Sequence, residues 1–571
     1  MNEPRSFASD DRPVITGPRG QRGHRDHFAQ SERLARQFYR IGDFAWCLVG
    51  NGLSNQVFVE APEGIIAIDT GESVEEMREA IAELRERTAT PIVAVLYTHF
   101  HYVQGTRAVV DDRASMGLGA DFPIHGHARI ANNLQRSATA IGPAYARGLV
   151  EQFSIMLPTD GPDGNVNIGL GFDYRNARHA PFTSGHLPVT HSFDGATTIH
   201  VAGLDIDVQP APSDADDSVT YWFPTLDAAV HNIVWPALFN VFAIRGEEYR
   251  DPRVLLHGLD HVRALNAEHL IGAHGPPLSG RDDIRARVTK CRDAIQFLWD
   301  QTVRHTNMGA TSVELAHRVV LPETFDDDYL TSQLYGLVEH HTRQIRSGLF
   351  GWFDGDVVNL FPLERTERAD RFVAAMGGVE AVRTMVAATS DSNTRWALEL
   401  AGLLVARAES DDTDRRLLAS VLRTIAYRTT AANIRSWCLT RPLDLEDAID
   451  MSRHYRHRLS RRQIANWALT TCVDTLRVML VPERATGIDC HVAFVVDGEV
   501  TGLHFRNFVA CPTDGADADA TVQSDRHTWL SLLAAETSLA EAEAAGRVKI
   551  SGAAGAARLA LAALDHSSFA G

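Results

Sequence analysis

The segment 64–101, GIIAIDTGESVEEMREAIAELRERTATPIVAVLYTHFH, constrains the fold more than any other part of the chain. Its first run, GIIAI, has strand character, and SVEEMREAIAELRERT carries apolar residues at helical spacing. Ser73 and Glu76 predict a capping box at the start of that helix. PIVAVLYTH is nearly continuous in apolar residues, as a strand buried on both faces must be. Two further strand-like runs, FAWCLVG and NQVFVEAP, come just before. Three strands, a helix and a buried strand predict an α/β fold, with His99 and His101 where the last strand ends. Side chains converge at such strand ends because the chain is leaving the sheet.

Beyond a glycine-rich stretch (146–195), strands are expected in TTIHVAGLDIDVQPAPSD, SVTYWFP and AAVHNIV, then a helix over 253–267 and the segment HLIGAHGPP. From Asp282 to about residue 430 the pattern is almost entirely helical. From about Arg461 it changes to a helix, an alternating hairpin in CHVAFVVDGEVTGLHFRNF, and an Ala-rich helical tail. The expected organisation is a polar, partly disordered leader (1–39), an α/β domain (40–281), an all-α domain (282–445) and a small α+β domain (446–571). The leader has no apolar core of a secretory signal, and no apolar run approaches the ~20 residues of a membrane span. Six scattered cysteines without a CxxC suit a reducing compartment, so a cytoplasmic location is expected. A net charge of −18 with no basic stripe argues against nucleic acid as a partner.

His99 and His101 alone are weak evidence of a metal site in a chain with 25 histidines. Three distant residues strengthen the pattern: Asp214 in SDADD, His231 in AVHN and His274 in GAHG. Each follows a strand-like run near a bend. Singly, Asp214 reads as a turn cap, His231 as a core histidine and His274 as a loop residue. In combination with His99 and His101 they predict a metal site. Tyr102, beside the histidines, is a candidate proton donor.

The segment NGLSNQVFVEAPEGIIAIDTGESVEEMREAIAELRE, with PIVAVLYTHFH after it, resembles the metallo-β-lactamase domain of the class III (SdsA-type) alkyl sulfatases. FNVFAIRGEEYRD resembles that family's N-L-Y-x-x-R-G segment, and LFGWFDGDVVNLFP its helical dimerisation domain. DADATVQSDRHTWLSLLAAETSLAEAEAAGRVKISG resembles its sterol-carrier-protein-2-like (SCP-2-like) domain. The resemblance implies an αββα sandwich, a homodimer, and hydrolysis of a sulfate ester, or a related ester of an apolar compound, through a metal-bound water. It carries the sulfate contacts onto Asn240 and Arg245.

The chain departs from the family at the metal motif. In place of H-x-H-x-D-H it reads His99, Phe100, His101, Tyr102, Val103, Gln104, which removes two ligands of the second metal. Asp214 stands at one family glutamate, and His274 at the late family histidine. The bridging glutamate falls on His231 or Asn232. The expectation is therefore one divalent metal per chain, held by His99, His101 and Asp214, with His231 or His274 completing the shell. Zn2+ is the first choice. Fe2+ in a non-hydrolytic, oxidative enzyme is the alternative, because two imidazoles and a carboxylate also make a facial triad.

Overall fold

The computed structural model describes residues 4–136 and 139–570, which form two compact units. Of the described residues, the first comprises 4–131 and 148–450, the second 132–136, 139–147 and 451–570. Within the first unit the α/β and helical regions share a core, in which Trp235, Leu238 and Leu255 pack with Ile284, Leu298, Leu334 and Ile345.

The first unit is built on two facing sheets. One has seven strands in the order β3 (Gln37–Ile41), β4 (Ala45–Val49), β5 (Gln56–Ala61), β6 (Gly64–Ile68), β7 (Ile92–Leu96), β8 (Ile124–His127) and β9 (His191–Phe193). Strands β3 to β6 are antiparallel, and β6 to β9 are parallel. The second sheet has six strands, β10 (Thr197–Val201), β11 (Leu204–Pro210), β12 (Val219–Phe223), β13 (Ala228–His231), β14 (His269–Gly272) and β15 (Leu278–Ser279). Val57, Ile66, Ala94 and Leu96 from one sheet meet Ile206, Val219, Val230 and Ile271 from the other. This is the αββα sandwich that the resemblance implies.

Helix α2 (Val74–Arg85) follows β6, as the periodicity predicts. Only half of the expected capping box forms. Ser73 accepts a hydrogen bond from the Glu76 amide at 3.2 Å, but the Glu76 carboxyl turns to the Glu72 amide at 3.1 Å and Gln56 at 2.8 Å.

The leader is ordered over its described residues, contrary to expectation. It forms a hairpin, β1 (Val14–Thr16) and β2 (Arg22–His24), and helix α1 (Arg25–Arg33). The buried Gln30 donates to the carbonyls of Gly169 (3.0 Å) and Pro236 (2.6 Å), and His27 bonds to the Asn167 carbonyl at 3.2 Å.

The second unit holds a five-stranded sheet in the order β18 (Val509–Thr513), β17 (Glu499–Arg506), β16 (Cys490–Val496), β19 (Ala520–Ser524), β20 (Val548–Gly552). The hairpin is where the alternation places it. The tail differs, because three of these strands interrupt the stretch expected to be helical. Among the described residues no single helix is long and apolar enough to cross a membrane.

Candidate metal centre

Strand β7 stops at Leu96, and a 3-10 turn covers Phe100–Tyr102. Between them His99 keeps an extended backbone and buries its ring completely. Just after the turn the chain is drawn tight against the segment that follows β6: a Cβ on Gly105 would sit 2.0 Å from the Thr70 carbonyl oxygen, so only glycine fits there. Asp214 arrives on the loop between β11 and β12. Asn232 is the first residue after β13, and His274 follows β14.

His99, His101 and Asp214 come together, with one ligand atom from each lying within 4.8 Å of the others. His99 Nε2 is 3.8 Å from Asp214 Oδ1, and His101 Nδ1 is 3.2 Å from Oδ2. The Thr98 hydroxyl donates to Asp69 at 2.6 Å and lies 2.9 Å from His99 Nδ1. With its own proton committed, that hydroxyl accepts from Nδ1–H, which leaves the Nε2 lone pair facing Asp214. Burial pulls the His99 imidazole down to about 3 against the pull of Asp214, so it is neutral. At His101 burial also lowers the pKa, but the carboxylates of Asp214 and Glu247 outweigh it and raise the group to about 9. Asp214 is held well below the usual carboxylate range, because His99 and His101 overcome the effect of its burial.

The other two histidines stand apart from this group. His231 Nδ1 accepts from the amides of Ile233 (3.1 Å) and Val234 (3.3 Å), which ties the ring into its own turn. His274 Nδ1 faces the Leu53 carbonyl at 3.0 Å, so Nε2 accepts from the Tyr102 hydroxyl at 3.1 Å. In this arrangement neither presents a free lone pair to the centre. Tyr102 thus hydrogen-bonds to a neutral imidazole, and burial holds its phenol well above its usual range.

The position at the centre after β13 belongs to Asn232. Trp235 Nε1, which can only donate, reaches Asn232 Oδ1 at 3.2 Å. This fixes the amide orientation. The NH2 group therefore faces inward, 2.6 Å from Asp214 Oδ1 and 3.3 Å from His99 Nε2. An amide nitrogen cannot ligate a metal. Val103 is buried and pairs with Gly71 through its backbone, and the Gln104 side chain accepts from the Ser184 hydroxyl. Among the described residues the chain offers one three-residue ligand group.

Two charged residues that the sequence reading passed over border the group. Glu247 Oε1 lies 3.7 Å from His101 Nε2 and 2.9 Å from Arg245 Nη2. Arg250 is buried and donates to the Asn240 carbonyl at 2.7 Å, while its Nε and Nη2 have no hydrogen-bond partner. Neither amide atom of the buried Asn240 side chain has one either. Arg245 lies 5.6 Å over the ring of Phe153, which stacks on Tyr174 at 5.2 Å. The only hint of Glu247 in the sequence was an acid two residues after the expected sulfate-contacting arginine.

The residues fit a divalent ion. Two neutral-capable imidazoles and an ionised carboxylate are a common zinc donor set. His101 buries both ring nitrogens without a hydrogen bond of good geometry, as an imidazole held for a metal would.

The chain matches three family models: metallo-beta-lactamase superfamily over residues 49–102, alkyl sulfatase dimerisation over 311–448 and alkyl sulfatase C-terminal over 458–570. It is 31% identical over 513 residues to a linear primary-alkylsulfatase of Pseudomonas sp., covering 86% of this chain and 95% of that one. It is 26% identical over 533 residues to the alkyl/aryl-sulfatase BDS1 of Saccharomyces cerevisiae, covering 90% and 80% respectively. The solved stereoselective inverting sec-alkylsulfatase Pisa1 from Pseudomonas sp. superposes with a TM-score of 0.83 at 23% identity, over 95% of this chain and 87% of that one.

Proposed function

The chain belongs to the alkyl sulfatase family of metallo-β-lactamase-fold hydrolases, and on that premise we propose that it hydrolyses sulfate esters of apolar alcohols with a single metal ion. One observation carries this reading: a buried His99–His101–Asp214 group borders arginines on an aromatic wall. That wall suits a substrate anionic at one end and apolar at the other. Nothing found favours the oxidative iron alternative.

His99, His101 and Asp214 would hold the ion, and zinc is the metal their chemistry suits best. When bound, a divalent ion supplies Lewis-acid polarisation and makes water a usable nucleophile near neutral pH. The protein's own groups do the rest. Arg245 and Arg250 offer guanidinium donors to the sulfate oxygens, and Asn240 has an amide with no other partner. Phe153 and Tyr174 exclude water from the apolar part. Tyr102 keeps its proton and donates it to His274 Nε2, which holds both side chains in place beside the centre.

A homodimer is supported by the dimerisation-family match and by exposed apolar side chains within it, among them Trp352 (73% exposed) and Phe361 (84%). Six free cysteines agree with a reducing compartment such as the cytoplasm.

The test is release of inorganic sulfate from a linear alkyl sulfate by zinc-loaded protein, beside the phosphate and carboxylate esters of the same alcohol. Sulfate release is expected. Hydrolysis of the carboxylate ester alone would overturn the reading.

A further inference from the structure

A histidine that ligates a metal through one ring nitrogen needs its other nitrogen held, because the N–H on that side fixes both tautomer and ring orientation. His99 has such a partner in Thr98, itself bonded to Asp69. His101 needs one too. Its Nδ1 faces Asp214 at 3.2 Å, and its Nε2 faces Glu247 Oε1 at 3.7 Å, an ion-pair distance. The same Glu247 oxygen accepts from Arg245 Nη2 at 2.9 Å and Nε at 3.1 Å. The Arg245 backbone is fixed in turn, its amide donating to Gln152 Oε1 at 3.1 Å. Glu247 and Arg245 side chains are 5% and 6% exposed, so little solvent screens the pair.

We propose that Glu247 is a positioning residue with two duties: it orients His101 for metal binding from the side opposite Asp214, and it aims the Arg245 guanidinium beside the centre. The Glu247 carboxylate facing Nε2 at 3.7 Å favours the proton on that nitrogen, which leaves the Nδ1 lone pair for the ion. The carboxylate also cancels much of the Arg245 charge. The arginine therefore repels a dication bound at the centre less than an unpaired guanidinium would. An uncompensated arginine beside a cation site would be costly at this burial. One acid thus couples the two halves of the site, metal and sulfate. This inference rests on the proposed function for the sulfate half only; the metal half stands by itself.

The experiment measures Zn2+ affinity by chelator competition, together with KM and kcat for a linear alkyl sulfate, in the full-length chain. The proteins are wild type, Glu247→Gln, Glu247→Ala and Arg245→Met. Loss of the outer partner of a metal-ligating histidine weakens metal binding about 10–100-fold. That range is expected for Glu247→Ala, with a smaller loss for Glu247→Gln, whose amide oxygen still accepts a hydrogen bond. Arg245→Met should keep zinc affinity within about threefold and raise KM. Should Glu247→Ala fail to fold, Glu247→Gln carries the measurement. Wild-type zinc affinity in both Glu247 variants would overturn the proposal. So would equal KM effects for Glu247→Gln and Arg245→Met with metal binding untouched, since the acid would then serve the arginine alone. If no protein hydrolyses alkyl sulfates but the zinc affinities fall as stated, the functional reading fails and the positioning role survives.

Discussion

Replacing Asn232 with aspartate tests whether this residue limits the proposed centre to one ion. Asn232→Asp keeps the shape and leaves Trp235 a partner, but it sets a second carboxylate where the amide now lies 2.6 Å from Asp214 Oδ1. Two ionised carboxylates at that distance repel by about 6 kcal/mol at an effective dielectric of about 20. The pair avoids this by sharing a proton. The cost is then that of raising one carboxyl pKa by about three units, roughly 4 kcal/mol at pH 7. The sign follows from linkage. The unfolded chain ionises both acids above about pH 4, while the folded pair retains a proton, so the penalty is absent at pH 4 and grows to its full value near pH 7. Urea unfolding of metal-free protein should show the variant close to wild type at pH 4 and about 4 kcal/mol weaker at pH 7. Excess zinc at pH 7 should restore much of the loss, because a cation binds the dianionic pair and not the unfolded chain. Equal stability of the two metal-free proteins at pH 7 would refute the placement of Asn232 against Asp214.

The buried His27 is lowered to about 3, chiefly by burial and next by Arg435. Its stabilising contribution is complete above about pH 6.5 and is lost as pH falls toward 3. His27→Gln should flatten the urea-stability profile by roughly 2 kcal/mol between pH 6.5 and 5; an unchanged slope would show that this histidine does not reach the solvent-free position described. If the aromatic wall holds the apolar part of the substrate, kcat/KM should rise about fourfold per added methylene, from roughly 0.8 kcal/mol each, over short alkyl sulfates. Flat kinetics across chain lengths would remove that wall from recognition. Light scattering at micromolar concentration should give a dimer, and Trp352→Asp with Phe361→Asp should shift it toward monomer. A wild-type monomer would leave those exposed side chains without the proposed role.

How much of this was legible in the sequence depended on whether the relevant contacts were local. Strands β4 to β7 and α2 announced themselves, since a strand buried on both faces and an amphipathic helix each leave a periodic trace over a few residues. His99, His101 and Asp214 were legible because each ends or follows such a trace. The leader was misread because most of its buried residues are polar, and Gln21, His27 and Gln30 among them are satisfied by carbonyls some 140 residues and more away. No local pattern carries that information. Strands β19 (ATVQS) and β20 (VKISG) are short and lie in an Ala-rich stretch, so helical propensity dominated the reading. The choice between His231 and Asn232 turned on one residue of register: His231 ends β13 and bonds its own turn, whereas Asn232 has left the strand and faces Asp214. Glu247 was missed because its role depends on where Arg245 and His101 meet in space.

The most direct test of the central claim is the number of metal ions bound per chain. Elemental analysis of protein loaded with zinc and freed of loosely held ions should give one per chain in wild type. His101→Ala should give none, with loss of sulfate release, and Val103→Ala should still give one. Two tightly held ions in the wild type, or an undiminished ion in His101→Ala, would contradict a single centre built from His99, His101 and Asp214.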